Sequence, residues 1–148
     1  MTDSPNTTPT RGAIYVRSAQ SNPASLADQE RRCRQYAAER LPGCIVADDR
    51  VFQDSGASGL AVSRPGLEAL LKKVADTPKS FSHLIIAAPD RLGRSLPMVF
   101  PILDLLHHRG IEVHFAGAPL EFSYVHLRNS VIALFESKAS DGLNPAAT

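Results

Sequence analysis

Cysteine is scarce in this chain. Only Cys33 and Cys44 occur, and their spacing makes neither a CxxC pair nor a metal-binding pattern. A disulfide-built scaffold is excluded, and both thiols read as small packed hydrophobes in a reducing, cytoplasmic setting. No apolar run is long enough to span a bilayer. The start, Met1-Thr2-Asp3-Ser4-Pro5, lacks the charged and apolar regions of a secretion signal. Excess charge is missing as well. The formal net charge is +1, which by itself argues against a strongly basic nucleic-acid binder. Lysine is sparse, with 4 Lys against 12 Arg. Arginine brings a planar fork suited to phosphate or carboxylate, where lysine brings a flexible point charge. Several enzyme signatures are absent: GxxxxGK[ST], GxSxG, HExxH and GxGxxG do not occur.

What remains is an ordinary globular composition. The 148 residues, 43% hydrophobic and 21% charged, suit one domain with short tails. Residues 1–11 are rich in Thr, Pro, Ser and Asn and read as a disordered leader. Residues 12–138 form the domain, and 139–148 read as a fraying tail.

Within the domain, apolar runs alternate with amphipathic stretches. Ala13–Val16 is a short strand-forming run. A helix is predicted from Ser25, as N-cap, to Arg40, with Leu26, Gln29, Cys33, Tyr36 and Ala37 on one face. A second strand covers 44–52, and Asp54–Gly59 is a loop by composition. A helix over 65–75 starts on Pro65 and lines up Leu67, Leu70, Leu71 and Val74. Leu84–Ala88 has the continuous apolar character of a strand buried on both faces. A helix over 96–108 ends at Gly110, a strand covers 111–115, and a last helix runs from about Tyr124 to Lys138. The expected fold class is α/β, a three-layer, mainly parallel sheet of four to five strands with helices on both faces.

In open parallel sheets, ligands bind beyond the carboxyl ends of the strands. The first strand runs into Arg17-Ser18. The third runs into Asp90-Arg91-Leu92-Gly93-Arg94, and the Gly/Ser loop returns through Ser63-Arg64. Arg91 and Arg94 share a face if this segment begins a helix. Arginine there opposes the helix dipole, and a bound anion accounts for the placement. Four arginines thus converge on one edge, with Asp90 to orient or partly neutralise them. That is a phosphate crevice able to cancel charge developing in a transition state. The five histidines are scattered, and His107-His108 suit a helix end better than a metal.

Several blocks carry a resemblance. They are Tyr15-Val16-Arg17, Ser25-Leu26 with Gln29, Asp54-Ser55-Gly56-Ala57-Ser58-Gly59, Arg64-Pro65-Gly66-Leu67 and Asp90-Arg91-Leu92-Gly93-Arg94-Ser95. Together they resemble the catalytic domain of serine recombinases, the resolvases and DNA invertases, over residues 12 to 137. The resemblance implies attack of a serine hydroxyl on a DNA phosphodiester, giving a 5′-phosphoserine link and a free 3′-hydroxyl. It implies no metal and no other cofactor, DNA as partner, and a homodimer or tetramer when active. Arg17, Arg64, Arg91 and Arg94 match its phosphate-binding arginines and Asp90 the carboxylate beside them. Tyr15, Gln29 and Ser58 match supporting positions.

Two departures stand out. The family pattern is Tyr-x-Arg-x-Ser, whereas here Ala19 holds the serine position and the serine is one place early, at Ser18. Ser18 is the preferred nucleophile and Ser21 a further candidate, since alanine cannot attack phosphorus. The chain also stops soon after Val131–Glu136, without a helix-turn-helix, so weak, sequence-indifferent DNA binding is expected. Two alternatives follow. One is a catalytically inactive relative that associates with DNA or a full-length recombinase through the apolar face near Ile132, Leu134 and Phe135. The other is an unrelated α/β protein acting on a small phosphorylated ligand.

Overall fold

In a computed structural model of the chain, the sheet is organised around one central strand, β1 (Thr10–Ser18). The structure describes residues 9–18, 23–55, 64–77, 80–117, 129, 131–133, 135 and 136. Around β1 stand α1 (Pro23–Arg40), β2 (Cys44–Ile45), β3 (Val51–Ser55), α2 (Pro65–Asp76), β4 (His83–Ile86), α3 (Leu96–His108) and β5 (Glu112–Phe115). Among the described residues, every strand pairing is parallel. β1 meets β4 on one side and β4 meets β5. On its other side, β1 pairs with β2 through Thr10 and Arg11 and with β3 through Ile14 to Ser18. Among the described residues the sheet therefore has five strands.

β1 is buried on both faces, and its alternation sorts the core into two halves. Ala13 and Tyr15 join Leu84, Ile86 and Phe115 against Leu67, Leu70 and Val74 of α2 and Val99, Leu103 and Leu106 of α3. Ile14 and Val16 join Ile85 against Leu26, Cys33, Tyr36 and Ala37 of α1. One layer of helix lies on each side of the sheet, which is the expected three-layer α/β architecture.

Some boundaries differ from expectation. β1 takes in Thr10 and Arg11, which composition assigned to the leader, because Cys44 and Ile45 pair with them. α1 begins at Pro23, so Ser25 lies inside its first turn rather than capping it. The single strand expected over 44–52 is broken by a 3-10 turn at Asp48–Arg50. Asp54 and Ser55, expected in a loop, belong to β3 because Arg17 and Ser18 extend the ladder to them. Gly110 caps α3 as expected, with φ +78 and its N–H bonded to the His107 carbonyl. The described residues from 129 to 136 are helical, whereas the ends of the helix expected over Tyr124–Lys138 lie outside the described residues. Phe135 packs against the chain's own core, and Leu134 lies outside the described residues.

One glycine fixes how α2 meets the sheet. A Cβ on Gly66 would lie 2.3 Å from the Gln53 carbonyl oxygen and 2.6 Å from its carbon. Both are rigid backbone, so helix and strand must part to admit a methyl group. Gly66→Ala is expected to lower unfolding stability by roughly 1–3 kcal/mol, read as a shift in the denaturant midpoint.

Candidate functional site

The ladder between β1 and β4 ends at Tyr15 and Ile86. Beyond that point Gln29 of α1 takes the place of a strand. Its Oε1 accepts from the Arg17 N–H at 3.2 Å, and its Nε2 donates to the Arg17 carbonyl at 2.8 Å. Gln29 Nε2 also reaches Ser25 Oγ at 3.3 Å. The end of β1 is thereby fixed while β4 turns away into the 3-10 turn Pro89–Arg91.

Two buried arginines clasp that turn. The Arg17 guanidinium donates to the Arg91 carbonyl at 3.0 Å and to the Asp90 carbonyl at 2.7 Å. Arg64, the residue just before α2, donates to the Arg91 carbonyl at 2.6 Å and also to the Leu92 carbonyl. Arg91 answers by donating from Nη1 to the Arg17 carbonyl at 3.0 Å. Its Nε lies 3.5 Å from an Asp90 carboxylate oxygen. Planar forks fit this pattern of converging carbonyl oxygens, as single-point ammonium groups would not.

Below the arginines lies a polar floor. Tyr15 hydroxyl donates to Asp54 Oδ2 at 2.7 Å and accepts from Arg64 Nη2 at 2.8 Å. The Arg64 guanidinium sits 5.6 Å from the Tyr15 ring centre, within cation–π range. Asp54 also accepts from the backbone N–H of Gly66 at 2.7 Å and of Leu67 at 3.0 Å. Arg64 offers no side-chain cap to α2, and Pro65 has no N–H. Asp54, reaching from the neighbouring strand, is therefore the cap of that helix.

The electrostatics follow from burial. Burial raises the Tyr15 pKa, and the hydrogen bond to Asp54 raises it further, so Tyr15 stays a neutral phenol. Burial also lowers the Arg17 pKa, and the nearby Arg64 guanidinium adds to the effect. Three guanidinium groups meet two carboxylates here, which leaves an excess of positive charge. Arg64 Nε is buried without a hydrogen-bond partner among the described residues. Such a set is suited to an anion of phosphate size with several oxygens.

The Resolvase, N terminal domain family matches this chain over residues 12–138. The chain belongs to that family. Over 66 residues it is 40% identical to the DNA-invertase hin of Salmonella typhimurium, covering 45% of this chain and 32% of that protein. Over 91 residues it is 35% identical to the transposon Tn21 resolvase of Escherichia coli, covering 60% of this chain and 44% of the relative. The matches thus span less than half the length of these relatives. Among solved structures, the C-terminal catalytic domain of ISC1926 TnpA, an IS607-like serine recombinase, superposes with a TM-score of 0.62. It is 28% identical, over 88% of this chain and 84% of that one.

The residues singled out in this resolvase-type domain fare differently. Arg17, Arg64, Arg91, Asp90, Tyr15 and Gln29 are brought together. Arg94 is exposed and does not share a helical face with Arg91, because the 3-10 turn ends before α3 begins at Leu96. Neither arginine opens a helix. Ser18 is 7% exposed and pairs with Ser55 at the end of β1. The strand stays extended through Ser18, so alternation places it on the face of Ile14 and Val16, opposite Arg17. Ala19, Ser21 and Ser58 lie outside the described residues. Sequence reasoning missed Asp54 as a site residue, although the Arg64-Pro65-Gly66-Leu67 block signals a helix start in need of a cap. No helix of the described residues is long and apolar enough to cross a membrane.

Proposed function

We propose that this chain is the catalytic part of a cytoplasmic serine recombinase that carries out site-specific strand exchange on DNA. The carrying observation is the convergence of Arg17, Arg64 and Arg91 at the carboxyl ends of β1 and β4. In this reading the scissile phosphate sits over the turn at Asp90–Leu92, beside the half-buried Arg91 and the exposed Arg94. Arg17 and Arg64 hold the turn from behind and set its positive potential. A serine hydroxyl attacks phosphorus, losing its proton. The 3′-oxygen leaves and takes up a proton, and a 5′-phosphoserine ester remains. Attack by a 3′-hydroxyl on that ester reverses the step and rejoins strands. One phosphodiester is exchanged for another, so the reaction needs no energy source, and it draws on no cofactor. Ser18 is the first choice of nucleophile and Ser21 the second, with Ser58 in support. DNA and further copies of the chain, as a dimer or tetramer, are the partners.

A second reading is favoured by one observation. Ser18 lies on the face opposite Arg17, in keeping with the departure from the Tyr-x-Arg-x-Ser pattern that the resemblance implies. A domain without a usable nucleophile would keep the anion site and act as a DNA-associated partner of an active recombinase.

Incubation with a supercoiled plasmid library separates the two. The first reading expects a protein–DNA adduct that survives denaturant, and its loss in Ser18→Ala. An adduct surviving Ser18→Ala but lost in Ser21→Ala moves the nucleophile to Ser21. No adduct in any condition overturns catalysis and leaves the partner reading.

A further inference from the structure

A second cluster of chemistry-bearing groups lies at the other end of the sheet. His83 opens β4 and Glu112 opens β5, and the parallel register sets them side by side. His114 follows two residues after Glu112, so alternation returns it to the same face, the one covered by α1. His83 Nδ1 and His114 Nε2 are 3.0 Å apart. The Glu112 carboxylate is 3.8 Å from that same His114 nitrogen. These three donor atoms all lie within 4.8 Å of one another. Nothing in the recombination chemistry uses them.

We propose that His83, Glu112 and His114 form a binding site for a first-row divalent transition ion, with zinc as the fitting choice. Zinc binds imidazole nitrogen at about 2.0–2.1 Å in tetrahedral geometry, which sets two such nitrogens roughly 3.3 Å apart. The observed spacing is already close to that value, so the rings need little movement. Two imidazoles with one carboxylate are a common zinc donor set, with a further position left for another ligand. Tyr36 supplies the outer support. Its hydroxyl lies 3.2 Å from His114 Nδ1, so the ring can donate from Nδ1 and keep the Nε2 lone pair for the metal. His114 is held inside, while Glu112 is exposed and His83 half-buried, which gives the ion a way in. The bound ion would tie β4 to β5 behind the strand that leads into Asp90 and Arg91. This site is independent of the proposed recombinase activity.

The test is titration of the purified, metal-free chain with zinc chloride by calorimetry. Thermal melting gives a second readout, and cobalt(II) absorbance reports the ligand geometry. The expected result is one ion per chain, a melting temperature that rises with zinc, and a tetrahedral cobalt spectrum. His83→Gln and Glu112→Gln act on partly or fully exposed side chains and should leave the fold intact. Each is expected to weaken binding by at least about tenfold, while His107→Gln/His108→Gln binds as the wild type does. Absence of zinc uptake by the wild type, or unchanged binding in His83→Gln, overturns the proposal and leaves the two rings as a hydrogen-bonded pair.

Discussion

Arg64→Lys is expected to slow DNA strand cleavage by about a hundredfold, the scale of the loss when a distant change misplaces a group at the reacting centre. Geometry rather than charge sets the effect. Arg64 donates to the carbonyls of Arg91 and Leu92 and to the Tyr15 hydroxyl at once. A lysine keeps the positive charge but has one nitrogen, so it cannot span these acceptors in one plane. The turn at Asp90–Leu92 then loses one of its two clasps, and Arg91 loses its fixed aim. The rate of adduct formation in single turnover is the direct measurement. Circular dichroism and the denaturant midpoint show whether the variant is folded. A variant that is folded and cleaves within a factor of a few of the wild type would mean that Arg64 serves structure alone.

Asp54→Ala is expected to lower unfolding stability by about 3–5 kcal/mol, the cost of removing one partner from a buried charged network. The carboxylate is 4% exposed and accepts from Tyr15, Gly66 and Leu67. After its removal the first N–H groups of α2 and the Tyr15 hydroxyl lose their common acceptor. Arg64 is then left in a buried site with one carboxylate fewer to offset it. Chemical unfolding measures the loss. Asp54→Asn should fall between the two, since it keeps an acceptor but not the charge. A loss below about 1 kcal/mol for Asp54→Ala would show that the network is solvated and contributes as a surface pair does.

The layered fold was legible because the apolar runs at Ala13–Val16 and Leu84–Ile86 are buried on both faces, and such runs stand out in sequence. The α1 face was legible for a related reason: Leu26, Gln29, Cys33, Tyr36 and Ala37 recur at helical spacing and are the residues that helix buries. The arginine cluster could be foreseen because each member follows a strand or precedes a helix, and parallel strands deliver their ends to one edge. The remaining features depend on contacts between distant segments, which local sequence does not encode. Asp54-Ser55-Gly56 has the composition of a turn, and only its pairing with β1 makes Asp54 a buried cap. The aim of Arg94 depends on where the 3-10 turn stops, which local propensity does not encode. His83 and His114 looked scattered because they lie far apart in sequence, and the register of β4 with β5 is what joins them.

In the proposed reaction the arginine-lined end of β1 and β4 presents a DNA phosphate to Ser18 at the end of β1. Mass spectrometry of the trapped adduct tests it most directly. Trypsin cuts after Arg17 and Arg31, releasing a peptide that runs from Ser18 to Arg31 and holds Ser18, Ser21 and Ser25. The account predicts a 5′-phosphorylated nucleotide on this peptide, carried by Ser18. A nucleotide joined through its 3′ end, or found only on the segment holding Ser55, Ser58 and Ser63, would contradict it.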